Sequence, residues 1–229
     1  MTMFELFYLN VHKDEDLAVQ CLQSFHRHYP EVPILAIADG LADESRLTAV
    51  MDMPGFELIQ GEPLKYHGHN KNVHPQHIKR NLTAVLERTQ GRVIKLDPAS
   101  YVWRKARYCP DSYWAGTVTF GHQANTFSQG LRMCNGGGWM MRTEAMEEIL
   151  KSGLLDHKFL RNPFISGEDP VYGWGMEQLE ISPVAWAEVI SSRRKLENEA
   201  HQWAYQFAIT HPVKGVFSEL DHQKQAQPA

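Results

Sequence analysis

The chain has 229 residues, 43% of them hydrophobic, with a formal charge of −4 and a pI near 6.3. That is enough apolar material for a full core, and with no basic block the sequence lacks the electrostatic footprint of a nucleic-acid binder. Cys21, Cys109 and Cys134 are far apart and not in metal-ligand spacing, which points to a reducing compartment and buried thiols.

No run reaches the roughly 18 apolar residues of a membrane span. The first apolar run, Phe4 to Leu9, is short for a signal peptide and has no basic leader. The expectation is a cytoplasmic protein without a transmembrane segment, with peripheral membrane attachment left open.

In chain order, Phe4–Asn10 reads as a first strand. Asp14–Tyr29 reads as an amphipathic helix with Leu17, Ala18, Cys21, Leu22 and Phe25 on one stripe. Pro33–Ala38 is a continuous apolar strand, the pattern of a parallel strand covered on both faces, and it ends in Asp39-Gly40. A short helical pattern over 43–51 and a third strand over 56–60 complete a βαβ start. The polar stretch from Lys65 to His74 reads as loop, and Pro75 opens a helix carrying Ile78, Leu82, Val85 and Leu86.

Arg92–Leu96 is then a short buried strand, stopped at Asp97 because Pro98 cannot donate to a ladder. Residues 114–120 form another strand. Gly136-Gly137-Gly138 leads into Trp139–Met141, and Thr143 is placed to cap a helix reaching Lys151. Asp169 before Pro170 reads as the N-cap of a helix to Leu179. Residues 181–186 read as strand, 187–207 as mostly helical, and 209–214 as the close of the ordered part. Residues 1–220 are taken as one domain, with 221–229 a polar tail.

Several chemistries drop out. No Gly-x-Gly-x-x-Gly follows the first strand and no P-loop occurs, so neither a dinucleotide fold nor an NTPase has its phosphate cradle. A glycine-rich turn after strand one, expected of a nucleotidyltransferase, is also missing. Asp39 and Asp97 both end parallel strands, where open α/β sheets bind ligands, although each also suits a turn. His67, His69, His74 and His77 follow no zinc pattern and read as polar loop and helix start. Asp169 suits a helix cap and equally a carboxylate that takes a proton from a hydroxyl nucleophile.

Four stretches in order carry a resemblance: Arg80-Asn81-Leu82-Thr83, Lys95-Leu96-Asp97-Pro98-Ala99-Ser100-Tyr101-Val102, Gly136-Gly137-Gly138-Trp139-Met140-Met141-Arg142, and Glu168-Asp169-Pro170-Val171-Tyr172 with its helix. Together they resemble a GT-A-type glycosyltransferase of the β-1,3-glycosyltransferase/Fringe-like branch, with a degenerate aspartate-rich motif. The resemblance implies an α/β GT-A fold, a mixed, mostly parallel sheet with helices on both faces. It implies transfer of a sugar from a nucleotide-diphosphate sugar, UDP-linked on the family pattern, to a hydroxyl of a glycan or glycolipid acceptor.

On that resemblance Asp169, with Glu168 beside it, would be the catalytic base of an inverting reaction. Asn10, Asp39, Lys65, Asp97, Gly137, Gly138 and Lys214 would contact the nucleotide sugar, and Trp139 and Trp174 would stack on sugar or acceptor. A divalent cation, manganese or magnesium, would be held by Asp97 and His211. Ala99 stands where the family's last aspartate is expected, so two routes stay open: a reduced metal site, or charge supplied by Lys214 with Arg104 or Lys105. The alternative function is a catalytically inactive protein that binds nucleotide sugar or glycan. The sequence leaves the oligomeric state open.

Overall fold

The computed structural model describes residues 2–12, 14–39, 42–61, 75–120, 130–161, 168–191 and 206–211. Its strands are β1 (Leu6–Val11), β2 (Ile34–Ala38), β3 (Phe56–Gln60), β4 (Arg92–Leu96), β5 (Tyr101–Val102), β6 (Trp114–Phe120), β7 (Arg132–Arg142), β8 (Val184–Ala185), β9 (Val189–Ser191) and β10 (Ile209–His211). The α-helices are α1 (Glu15–His28), α2 (Thr48–Met51), α3 (Pro75–Leu86), α4 (Thr143–Lys151) and α5 (Glu168–Gln178).

The main sheet has seven strands in the order β3-β2-β1-β4-β7-β6-β8, and β5-β10-β9 form a second, three-stranded sheet. Strands β3, β2, β1 and β4 are parallel. Among the described strands of the main sheet, β7 alone opposes its neighbours, pairing antiparallel with both β4 and β6, so that sheet is mixed and mostly parallel. The connection from β1 goes first to β2 on one side, and the chain later returns to place β4 on the other. That leaves a crevice between the carboxyl ends of β1 and β4, the topological switch point at which open α/β sheets bind ligands.

Alternation along β1 shows why its sequence is apolar throughout. Leu6 and Tyr8 enter one core with Ile78, Leu82 and Met146 of α3 and α4, whereas Phe7 and Leu9 enter the other with Ala18, Leu22 and Phe25 of α1. A strand buried on both faces has no place for a polar alternate. Helix α5 is pressed onto β7 at Gly173, where a Cβ would stand 3.0 Å from Met133 Cβ. This close approach brings the first turn of α5 to the crevice.

Some expectations change. The three glycines do not lead into a strand but lie inside the long strand β7. Thr143 is the first residue of α4 and not its cap; its hydroxyl accepts from Gly91 N–H at 2.8 Å, so it ties α4 to the turn before β4. Helix α5 begins at Glu168, so Asp169 lies within the first turn and is not its N-cap. Pro170 is tolerated there because first-turn N–H groups have no intrahelical partner. The helical pattern from 187 fails at Val189–Ser191, which forms a strand beside β10, and only Val184–Ala185 of 181–186 is strand. The proposed tail, 221–229, lies outside the described residues.

Candidate functional site

At the switch point, Asp97 after β4 and Glu168 at the start of α5 converge on Lys95, and Asn10 near the end of β1 bonds Glu168. The Lys95 side chain is 4% exposed, and its ammonium bonds Asp97 Oδ1 while lying 3.4 Å from Glu168 Oε2. A lysine facing a core survives only if it is paired. Burial alone would push its ammonium toward losing a proton, but Asp97, Glu168 and Asp169 outweigh that and hold it charged, well above its ordinary range.

The Glu168 carboxylate, 12% exposed, accepts from Asn10 Nδ2 at 2.9 Å. Burial raises its pKa above the ordinary glutamate value, against the pull of Lys95. The Asn81 amide of α3 sits 3.0 Å from both Asn10 and His77, and His77 Nε2 is 3.7 Å from Glu168 Oε1. Burial, aided by Arg80, lowers His77 to about 4, so the ring is neutral at physiological pH. Arg80 donates to His77 Nδ1 at 2.9 Å. Beneath this layer Tyr8 and Tyr172 are buried, and their pKa values are raised first of all by that burial.

The other carboxylate oxygen, Asp97 Oδ2, faces outward to His211 Nε2 at 3.7 Å, and Asp97 is 32% exposed. The register of β4 against β7 pairs Leu96 with Gly138, so one step further Asp97 and Gly137 are neighbours. His211 lies over Gly137, where any Cβ would stand 2.5 Å from the ring. Gly137 is therefore a space-maker for His211. Gly138 instead accommodates Leu96 and Val189, each 3.1 Å from its notional Cβ, and belongs to the core.

The remaining residues fall less centrally. Asp39, 3% exposed, bonds His12 Nδ1 at the carboxyl ends of β1 and β2, so its carboxylate is shared with an imidazole. Asp169 is half-buried in the first turn of α5, one residue beyond Glu168. Trp139 is a correction: it is 0% exposed, with its ring edge-on to Tyr8 and Tyr172, so it packs the core and offers no face to a sugar. Trp174 is partly buried and rests on His157.

Arg104 pairs with Glu188 at 2.7 Å and Lys105 with Glu31 at 3.2 Å. Lys65 and Lys214 lie outside the described residues. Sequence reasoning missed Lys95, Asn81 and His77 as members of the site. The signal to be read was a lysine inside an otherwise apolar strand, a placement that demands a carboxylate partner.

Two protein donors, Asp97 Oδ2 and His211 Nε2, face one another, and no group of three His, Cys, Asp or Glu suited to a metal occurs among the described residues. Hard divalent cations that are bound with substrate phosphates need only one or two protein ligands. The pair fits such an ion, and Asp97 and His211 are the residues that would hold it.

No family model and no curated protein matches the sequence. Solved structures do match. The architecture is the GT-A fold of nucleotide-diphospho-sugar transferases. The galactosyltransferase LgtC, crystallised with donor and acceptor sugar analogues, aligns over 97% of this chain and 97% of its own, at 11% identity and a TM-score of 0.52. An active-site mutant of LgtC gives 0.59 at 10% identity, over 98% of this chain and 97% of that one. The glycosyltransferase GlyE of Streptococcus pneumoniae TIGR4 gives 0.54 at 13% identity, covering 93% of this chain and 55% of that one. At these identities the likeness is one of fold.

Proposed function

We propose that the chain is a glycosyltransferase that moves a sugar from a nucleotide-diphosphate sugar, UDP-linked, to a hydroxyl of a glycan or glycolipid acceptor. One observation carries the reading. On a fold shared with glycosyltransferases, two carboxylates from separate elements, Asp97 and Glu168, are locked on one buried ammonium at the switch-point crevice.

In this reading Asn10 and Asp39 face the nucleotide and Asp97 lies by the diphosphate. Asp97 and His211 would hold manganese or magnesium, which when bound neutralises the charge developing on the leaving diphosphate. Glu168 has both oxygens engaged, so it positions the first turn of α5. Asp169, half-buried one residue further on, takes the proton of the acceptor hydroxyl. Direct attack by that hydroxyl inverts the anomeric centre.

The test is a donor panel of UDP-sugars with a mixed glycan acceptor array, with the product's anomeric proton read by NMR. Transfer with inversion in wild type, and its loss in Asp169→Asn with UDP binding retained, supports the assignment. A product that keeps the donor's configuration removes Asp169 as base. UDP binding with no transfer to any acceptor leaves the inactive binding protein.

A further inference from the structure

The hydrogen bonds behind His211 have only one consistent direction. Gly137 N–H, which can only donate, points at Asn135 Oδ1 at 3.3 Å and so fixes which end of that amide is oxygen. The Ser191 hydroxyl donates to the same oxygen at 2.8 Å, which uses its one proton. Ser191 Oγ also lies 3.2 Å from His211 Nδ1, and with its proton spent it can only accept there. A neutral ring with its proton on Nδ1 carries its lone pair on Nε2, the nitrogen 3.7 Å from Asp97 Oδ2. The relay is anchored at both ends: Ser191 N–H donates to Thr117 Oγ1 at 2.9 Å, and β9 pairs with β10 so that Ser191 and His211 are register partners.

We infer that Asn135 and Ser191 are positioning residues that hold His211 as the Nδ1–H tautomer, presenting the Nε2 lone pair toward Asp97 for a divalent cation. Ligand histidines in metal sites are oriented in this way by a hydrogen bond on the other ring nitrogen. The purpose of the tautomer rests on the cation reading above, whereas its existence is testable without it.

The experiment is a long-range ¹H–¹⁵N spectrum of histidine-labelled full chain at alkaline pH, with His211→Gln used to assign the signal. Wild type shows the Nδ1–H pattern. Asn135→Ala releases the Ser191 proton to be donated to Nδ1, so the ring turns to Nε2–H. Ser191→Ala removes the acceptor and gives the same change, while Ser191→Thr keeps the hydroxyl and the wild-type pattern. A merely structural role for Ser191 would not move the tautomer and restore it with threonine.

A second reading titrates Mn²⁺, alone and with UDP, and follows broadening of the His211 ring signals. Ser191→Ala requires about tenfold more Mn²⁺, and Ser191→Thr does not. An Nε2–H ring in folded wild type, or an unchanged tautomer in both alanine variants, overturns the inference. An Nδ1–H ring that responds to the variants but never to Mn²⁺ upholds the relay and removes the cation from the proposed function.

Discussion

The imidazole of His211 occupies the space that a side chain at Gly137 would fill, because the ring crosses β7 2.5 Å from where the first carbon would sit. Gly137→Ala therefore forces His211 out of its place opposite Asp97. Overpacking of this kind costs about 1–3 kcal/mol, so the variant should fold while its Mn²⁺-dependent UDP affinity falls by about tenfold or more. Urea unfolding and calorimetry together check this, and unchanged Mn²⁺ dependence would separate His211 from the cation.

Lys95 holds two carboxylates from different elements, so removing it leaves both uncompensated. Lys95→Met should destabilise the protein by about 3–5 kcal/mol. Pairing it with Glu168→Gln removes one of the stranded charges. The double variant should be more stable than the sum of the single effects, with a coupling of about 1 kcal/mol or more. Additive losses in denaturant titrations would mean that the two residues do not share one network.

His77 titrates at about 4 in the folded state, against 6.5 for a free imidazole, because burial and Arg80 disfavour its charge. A depressed folded value means that the unfolded chain binds the proton first. The stability His77 contributes is therefore present above 6.5 and is lost as pH falls toward 4. Linkage puts the change at about 3 kcal/mol. The unfolding free energy of wild type minus that of His77→Gln should fall by this order between those pH values, and a flat difference would contradict the neutral buried ring.

The raised pKa of Glu168 has the opposite sign. Its folded form binds a proton more readily than the unfolded chain, so the stability linked to that proton is present below the unfolded glutamate value. It is lost as pH rises through the folded one. Glu168→Gln should flatten this part of the stability profile. Asp169→Asn should change this part of the profile less than Glu168→Gln does, while abolishing transfer.

Much of the scaffold was legible because its physics is local. The apolar runs of β1, β2 and β4 follow from burial on both faces, and Pro98 ends β4 wherever the rest of the chain goes. Asp97 could be placed at the carboxyl end of a strand from the pattern of residues, whereas the first turn of α5 came to the same crevice only through the family resemblance. The ligand-side details depended on pairings no local pattern carries. Val189–Ser191 became a strand because β10 offered it a partner. Trp139 turned into the core because Tyr8 and Tyr172 meet it there. Lys95 looked like part of a strand until its two carboxylates were placed around it. Of the expected site glycines, Gly137 answers to His211, a residue far along the chain, and spacing does not encode that relationship.

The most direct test of the account is calorimetry of UDP binding to wild type and Asp97→Asn, each in Mn²⁺ and in chelator. The account predicts binding in wild type that weakens in chelator, and a variant that has lost most of that Mn²⁺ dependence. No detectable UDP binding by wild type under either condition, or equal binding by Asp97→Asn in Mn²⁺, would contradict it.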